Sequence, residues 1–396
     1  MEQKHVILRV RGANARDLVF LGANPSASPQ LLDAAPEVSI EVATLDASTL
    51  RDVKNDQEVV TSAPVMPLKL IQPMDAPQPE AVEAGIAWGI QATGAATSPF
   101  SGDGIIVAVL DTGIDKQHKC FDDPRLILVE KNFTDDPDGS DVHGHGTHCA
   151  GTIFGRDVDG SRIGVARGVK RALIGKVIGG TSSQSDQIVF AIQWAIEQGA
   201  NIISMSLGID FPGYRERLQT KFPPEAATSM ALDAYRLNVR LFEQVAALSQ
   251  ALGAFRRTAS ILVAAAGNES KLPKYRIRVS PPAVSEGIIS VAALGQGLPG
   301  FVIAPFSNSG ASVAAPGVAI TSAQRGGGLV AMSGTSMAAP HVAGIAALWA
   351  QRQQSLGALT GALLAARLLA SGDTSRLQKP FSPMDVGSGM VQAPQS

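Results

Sequence analysis

The sequence predicts an α/β fold built on a mostly parallel sheet, preceded by a small α+β unit. Two observations predict it. Short apolar runs at residues 105–110, 172–178, 201–205, 261–265 and 287–292 alternate with stretches of helical spacing at 185–198 and 225–255. Apolar strands that alternate with helices are buried on both faces, as in parallel sheets covered by helices. Polar residues able to do chemistry also fall just beyond several of these runs, and open α/β sheets bind ligands outside the carboxyl ends of their strands.

Taken in order, residues 6–10 and 38–42 alternate like half-buried strands, 46–54 read as a helix opening at Asp46, and 58–61 as another strand. Residues 1–62 are therefore expected to form the α+β unit. Five prolines between 63 and 79 break all periodicity, so 63–78 is expected to be a linker or an extended segment. The β/α alternation fills 79–396. The chain of 396 residues is long enough for one large and one smaller domain.

Composition excludes several classes. The net charge of −2 gives no global sign of nucleic-acid binding. No apolar run approaches 18 residues, so no membrane span is expected. Residues 1–12 read as a strand rather than a signal peptide, and 18–22 are too short for an apolar leader core, so the expected location is the cytoplasm. Two cysteines, Cys120 and Cys149, do not make a disulfide scaffold.

Four stretches carry possible chemistry. Asp111 follows the first apolar run; alone, such an Asp reads equally as a turn cap. His145 lies among His143, His145 and His148, which with Asp141 suggest a metal site as the rival reading. On a helix only positions three or four apart share a face, so His145 and His148 align while His143 does not. Asn268 follows Gly267 as a turn residue or as a side-chain donor. Ser336 lies in GTSMAAPH (334–341), where Gly334 is expected to turn the backbone and Pro340 to fall in or near the first helical turn. A serine there is a helix cap or a nucleophile. Together the four supply what acyl transfer needs: a hydroxyl, its base, an orienting carboxylate and donors for an oxyanion.

With these blocks the chain resembles the subtilisin-type serine proteases, the subtilase family or peptidase S8. The blocks read VAVLDTGID (107–115), HGTHCAGT (145–152), AAAGNE (264–269) and GTSMAAPH (334–341), in the order Asp, His, Ser. The resemblance covers about 85–396. It implies a subtilisin-like three-layer fold and a serine endopeptidase in which Asp111 orients, His145 is base and acid, Ser336 is the nucleophile, and Asn268 with the Ser336 backbone stabilises the oxyanion. It implies substrate pairing at Thr181, Ser182 and Ser183 on one side and Ser204, Met205, Ser206, Leu207 and Gly208 on the other. The first specificity pocket would lie between 206–208 and Ala265, Ala266 and Gly267, with Glu269 at its rim. A non-catalytic peptide-binding relative is the other alternative.

LVEKNFTDDPDG (128–139), NIISMSLG (201–208) and LKLIQP (68–73) are most similar to the intracellular subtilisins, whereas Cys149 is similar to the proteinase K branch. The implied partners are an extended polypeptide substrate and the chain's own N-terminal segment as an intramolecular inhibitor. Cleavage is expected between about 63 and 79, with Pro67 disfavouring Met66 and leaving Leu68, Lys69 or Leu70. No cofactor is expected for the chemistry. Structural calcium is an open possibility that Cys120, in place of the family's usual Asp ligand, argues against; Asp157 and Asp159 are the remaining candidates. About thirty residues, 210–240, stand as an insertion.

Overall fold

The computed structural model describes residues 2–11, 37–74, 84–180, 183–256 and 259–396. Its N-terminal unit is a three-stranded antiparallel sheet, β1 (Gln3–Arg11), β2 (Glu37–Leu45) and β3 (Val59–Pro64), in the order β2-β1-β3, with α1 (Ala47–Asn55) on one face. Asp46 starts α1 by accepting from the Thr49 N–H at 2.8 Å, the expected N-cap. β1 is the central strand, and side chains on both of its faces are buried. Ile7 packs on Leu45 and Val53, while Val6, Leu8 and Val10 face the rest of the molecule.

A short strand β4 (Leu68–Leu70) leads into the body. The body contains β5 (Ile106–Asp111), β6 (Ile127–Asn132), α2 (His145–Phe154), β7 (Arg171–Lys176), α3 (Ser185–Glu197), β8 (Ile202–Met205) and β9 (Leu207–Ile209). After them come α4 (Phe211–Gln219), α5 (Pro224–Arg256), β10 (Ile261–Ala265), β11 (Ile288–Gln296), β12 (Phe301–Ile303), β13 (Val313–Pro316) and α6 (Thr335–Ser355). The central sheet runs β12-β11-β10-β8-β5-β7-β6, with β13 also beside β11, and only β12 is antiparallel to its neighbour.

Alternate residues of β5 divide the core. Val107 and Val109 pack with Ile153, Val342 and Ile345 of α2 and α6. Ala108 and Leu110 pack with Ile188, Ile192, Phe242 and Val245 of α3 and α5, and Val6, Leu8 and Val10 close the far side of that same cluster. The N-terminal sheet is thus a fourth layer, seated on the two helices that cover one face of the body. The insertion at 210–240 forms α4 and the first half of α5, and it touches this unit. Gln3 Nε2 donates to the Tyr214 hydroxyl at 2.6 Å, and buried Asn238 Nδ2 donates to the Pro64 carbonyl at 2.8 Å.

Sequence pattern left β6, β12 and β13 unassigned. β6 is an edge strand whose apolar run, 126–129, gives way to Glu130, Lys131 and Asn132, and the other two strands are three and four residues long, so their apolar runs are too short to be read alone. No helix among the described residues is long and apolar enough to cross a membrane.

Candidate active site

Asp111 is the last residue of β5, and its Oδ1 lies 2.7 Å from His145 Nδ1 while accepting from the Thr112 N–H at 2.8 Å. His145 is the first residue of α2 and is fully buried. The start of α2 comes so close to the β5 loop that a Cβ at Gly146 would stand 2.2 Å from the Gly113 carbonyl oxygen, so only glycine fits. Burial opposes protonation of His145, but the adjacent Asp111 carboxylate outweighs it and holds the imidazole well above its ordinary value.

The histidine trio does not converge. His148 is buried, with Nε2 donating to the Ile320 carbonyl at 2.9 Å; burial pushes its pKa down to about 3, and it is a neutral structural side chain. His143 is exposed. Asp141, the fourth candidate ligand, instead caps α2. It accepts from the backbone N–H groups of His143, Gly144 and Thr147 at 2.9, 2.7 and 2.9 Å, and from the Thr147 hydroxyl at 2.7 Å. Among the described residues, the three groups whose candidate ligand atoms lie within 4.8 Å of one another are Asp111, His145 and Cys149.

The residues raised as calcium candidates have protein partners here. Asp157 pairs with Arg167 at 2.9 Å, Asp159 pairs with Lys119, and buried Cys120 Sγ lies 3.1 Å from His118 Nδ1. Both carboxylates are thus paired with basic side chains.

Ser336 is the second residue of α6, in the first turn, where its own backbone N–H has no carbonyl one helical turn back to bond. Gly334 has an extended backbone, not a sharp turn. Its requirement is space, since a Cβ there would stand 2.9 Å from Asn268 Nδ2. Pro340 lies one turn deeper than expected, inside the helix. It cannot donate to the Ser336 carbonyl four residues back. That carbonyl accepts from Cys149 Sγ and from Ser206 Oγ, each at 3.3 Å. The proline is therefore tolerated because two side chains supply the lost donor, and Cys149 acquires a role that its sequence alone does not reveal.

Asn268 is oriented by a residue that sequence reasoning missed. Its Oδ1 accepts from the N–H and the hydroxyl of Thr335, both at 2.9 Å, which turns Nδ2 into the cleft. The clue was present in the Gly-Thr-Ser order, since the residue before Ser336 faces the same loop.

Residues 66–74 run through this site as an added strand. Leu70, Lys69 and Leu68 pair antiparallel with Leu207, Gly208 and Ile209. On the other side the Leu68 N–H donates to the Ser183 carbonyl, and the Ser185 N–H to the Met66 carbonyl, each at 2.8 Å. Thr181 and Ser182 lie outside the described residues. Ser204 and Met205 do not contribute an edge, because both belong to β8 and are bonded between β5 and β10. Ser206 does contribute, accepting from the Ile71 N–H at 3.4 Å. Ala266 and Gly267 form the loop carrying Asn268, held by Asn308 Nδ2 on the Ala266 carbonyl at 3.1 Å and by Thr335 Oγ1 accepting from the Gly267 N–H at 3.0 Å; Ala265 ends β10.

The Ser336 hydroxyl donates to the Ile71 carbonyl at 2.9 Å, and Asn268 Nδ2 donates to the Gln72 carbonyl at 2.9 Å. His145 Nε2, on the ring edge opposite Asp111, is buried without a partner. Among the candidate cleavage points, Leu68, Lys69 and Leu70 all sit in the paired strand, and the carbonyl at the serine belongs to Ile71.

A family model described as the Subtilase family, peptidase S8, matches residues 102–386. The chain is 35% identical over 252 residues to the "Major intracellular serine protease" of Bacillus subtilis (strain 168), covering 61% of this chain and 66% of that protein. It is 36% identical over 249 residues to the "Intracellular serine protease" of Paenibacillus polymyxa, covering 61% and 65%. It is 29% identical over 341 residues to the "Alkaline serine exoprotease A" of Vibrio alginolyticus, covering 82% and 54%. The matched part thus spans just under two thirds of the first two relatives and about half of the third. The matched family model and the ordered Asp111, His145, Asn268 and Ser336 blocks lead to one conclusion: the chain belongs to the Subtilase family.

Proposed function

We propose that the protein is a serine endopeptidase held shut by its own N-terminal segment. The observation that carries this reading is the peptide already lying in the cleft, with one carbonyl on Ser336 and the next on Asn268. In the open site, His145 Nε2 takes the Ser336 proton as Oγ attacks a peptide carbonyl carbon. Asp111 holds the imidazole through Nδ1 and stabilises the imidazolium. Asn268 Nδ2 and the Ser336 N–H receive the oxyanion. His145 then returns the proton to the departing amine, and water repeats the sequence on the acyl-enzyme. The proposed steps use no metal. The substrate is an extended polypeptide, added as a strand between 183–185 and 206–209.

The same contacts explain restraint. Hydrolysis needs one carbonyl that faces both the nucleophile and the oxyanion donor. Here they engage successive residues, Ile71 and Gln72. The Ser336 hydroxyl is donated to the peptide and not to His145, whose Nε2 stands idle. Self-cleavage between about 63 and 79 would release the restraint. In this reading the protein works in the cytoplasm, as the names of the Bacillus and Paenibacillus relatives suggest for those proteins.

The test is to purify wild type and Ser336→Ala in parallel and to measure peptide hydrolysis and intact mass. Wild type hydrolyses peptides and loses about seven to eight kilodaltons, roughly 70 residues at ordinary residue mass, while Ser336→Ala does neither. Equal turnover by the two proteins would overturn the catalytic assignment. A fully active wild type that stays whole would overturn the inhibitory one.

A further inference from the structure

Glu269 follows the oxyanion residue directly, and its carboxylate does not face bulk solvent alone. One oxygen, Oε1, lies 2.8 Å from Lys69 Nζ. The other, Oε2, accepts from Asn308 Nδ2 at 2.6 Å. Asn308 is 1% exposed, and it is fixed in turn: its Oδ1 accepts from the backbone N–H groups of Glu269 and Ser270 at 3.1 and 3.0 Å. A buried amide thus holds the carboxylate in one orientation, independently of what arrives at Oε1. Lys69 lies opposite Gly208 in the added strand, two residues before Ile71, whose N–H donates to Ser206. The sequence placed Glu269 at the rim of the first specificity pocket; the contact is made further along the strand.

We infer that Glu269, braced by Asn308, forms a subsite for a Lys or Arg side chain at the substrate position opposite Gly208. The inference rests on the protease reading for its meaning, but not for its test. The site exists because an extended peptide in this register projects residues 69 and 71 to the same side, one over the oxyanion loop and the other toward the nucleophile. A basic side chain there finds a preorganised acceptor. A neutral one loses the pair, and an acidic one meets a like charge that cannot turn away, because Asn308 holds it. Burial raises the Glu269 carboxyl, and the Lys69 contact and Asn308 outweigh this and keep it below its ordinary value, so the group stays ionised at neutral pH. The Lys69 and Glu269 side chains are 37% and 40% exposed, so water and salt screen the pair and the discrimination is modest. Lys69 marks the chain's own segment as a sequence this cleft prefers.

A charge-swap cycle in the full chain tests this without catalysis. In the Ser336→Ala background, hydrogen exchange at the Leu68 and Ile71 amides, which donate to Ser183 and Ser206, is compared for Lys69→Glu, Glu269→Lys and the double substitution. Each single change speeds exchange roughly two- to fivefold, and the double change restores it, at low salt. Singles without effect, or a double that is as fast as the product of the singles, would overturn the subsite. In the active chain, peptides differing only at this position are hydrolysed with kcat/KM in the order Lys, Gln, Glu, and Glu269→Lys inverts the order. An unchanged order would also overturn it. If no variant hydrolyses any peptide, the protease reading fails, and the exchange cycle still decides the subsite.

Discussion

The N-terminal unit is attached to the body in two places that differ in kind. On the helices, Val6, Leu8 and Val10 of β1 form an apolar seam with Ile188, Ile192, Phe242 and Val245. In the cleft, residues 66–74 combine buried apolar side chains, Met66, Leu68, Leu70 and Ile71, with directional backbone hydrogen bonds and one half-exposed ion pair. Burying apolar surface contributes roughly 25 cal/mol per Å² without directional demands. Exchanging a hydrogen bond with water for one with protein gains only about 1 kcal/mol. Both attachments therefore bury apolar side chains, and the cleft alone adds the directional bonds that fix which carbonyls meet Ser336 and Asn268. A segment bound this way can occupy the site without fitting it as a substrate, since the unit behind it keeps it there.

The comparison can be broken first at the seam. Leu8 is 1% exposed, and Leu8→Ala removes about 2–5 kcal/mol from the seam. The expected result is a rise in resting hydrolysis of a small peptide by freshly purified protein, followed by thermal melts in which the N-terminal unit separates from the body. An unchanged resting rate would mean that the cleft contacts alone hold the segment.

Asn268→Ala attacks the cleft instead. Loss of this donor is expected to cost about 10²–10³-fold in kcat, a magnitude borrowed from the equivalent change in subtilisin. KM on the processed enzyme and docking at the seam should both stay near wild type. A tenfold or smaller loss of kcat would remove Asn268 from the oxyanion site.

Asn238→Ala tests the junction, where the chain leaves β3 for the cleft. It strips the Pro64 carbonyl of a buried donor at a cost of about 1–3 kcal/mol. Limited proteolysis of the 63–79 stretch should accelerate while the body melts as before. Equal proteolysis rates would make this contact incidental.

The smallest expected effect is on pH. His5 is buried on β1, and desolvation, with Lys54 nearby, lowers its pKa below the ordinary 6.5. The unfolded unit therefore binds a proton that the folded unit refuses. Stability is unaffected above pH 6.5 and falls as pH drops below it, by at most about 1.4 kcal/mol per pH unit until the folded value is passed. Intrinsic-rate-corrected exchange of the Val6 and Leu8 amides should be faster at pH 5.5 than at 7.5, and His5→Gln should flatten the difference.

The body was legible from sequence because its strands are continuous apolar runs, and a run such as 105–110 can be read without knowing its neighbours. The edge strand β6 was not, because its apolar run stops at Val129 while the strand continues through Glu130, Lys131 and Asn132. Asp111, His145, Asn268 and Ser336 were legible because each belongs to a short block whose order matters. Thr335, Asp141 and Asn308 were not: each acts by holding another residue, and such a role is set by three-dimensional contact. Pro340 shows the limit most clearly. Its place inside α6 depends on Cys149 and Ser206, which lie more than a hundred residues away in sequence.

The most direct test is a fluorophosphonate probe applied to the wild type before and after loss of the N-terminal unit, with the modified residue located by peptide mass mapping. The account predicts stoichiometric labelling of Ser336 in the processed protein, much slower labelling of the intact chain, and none in His145→Ala. No label on the processed protein, or label on another serine, would contradict it.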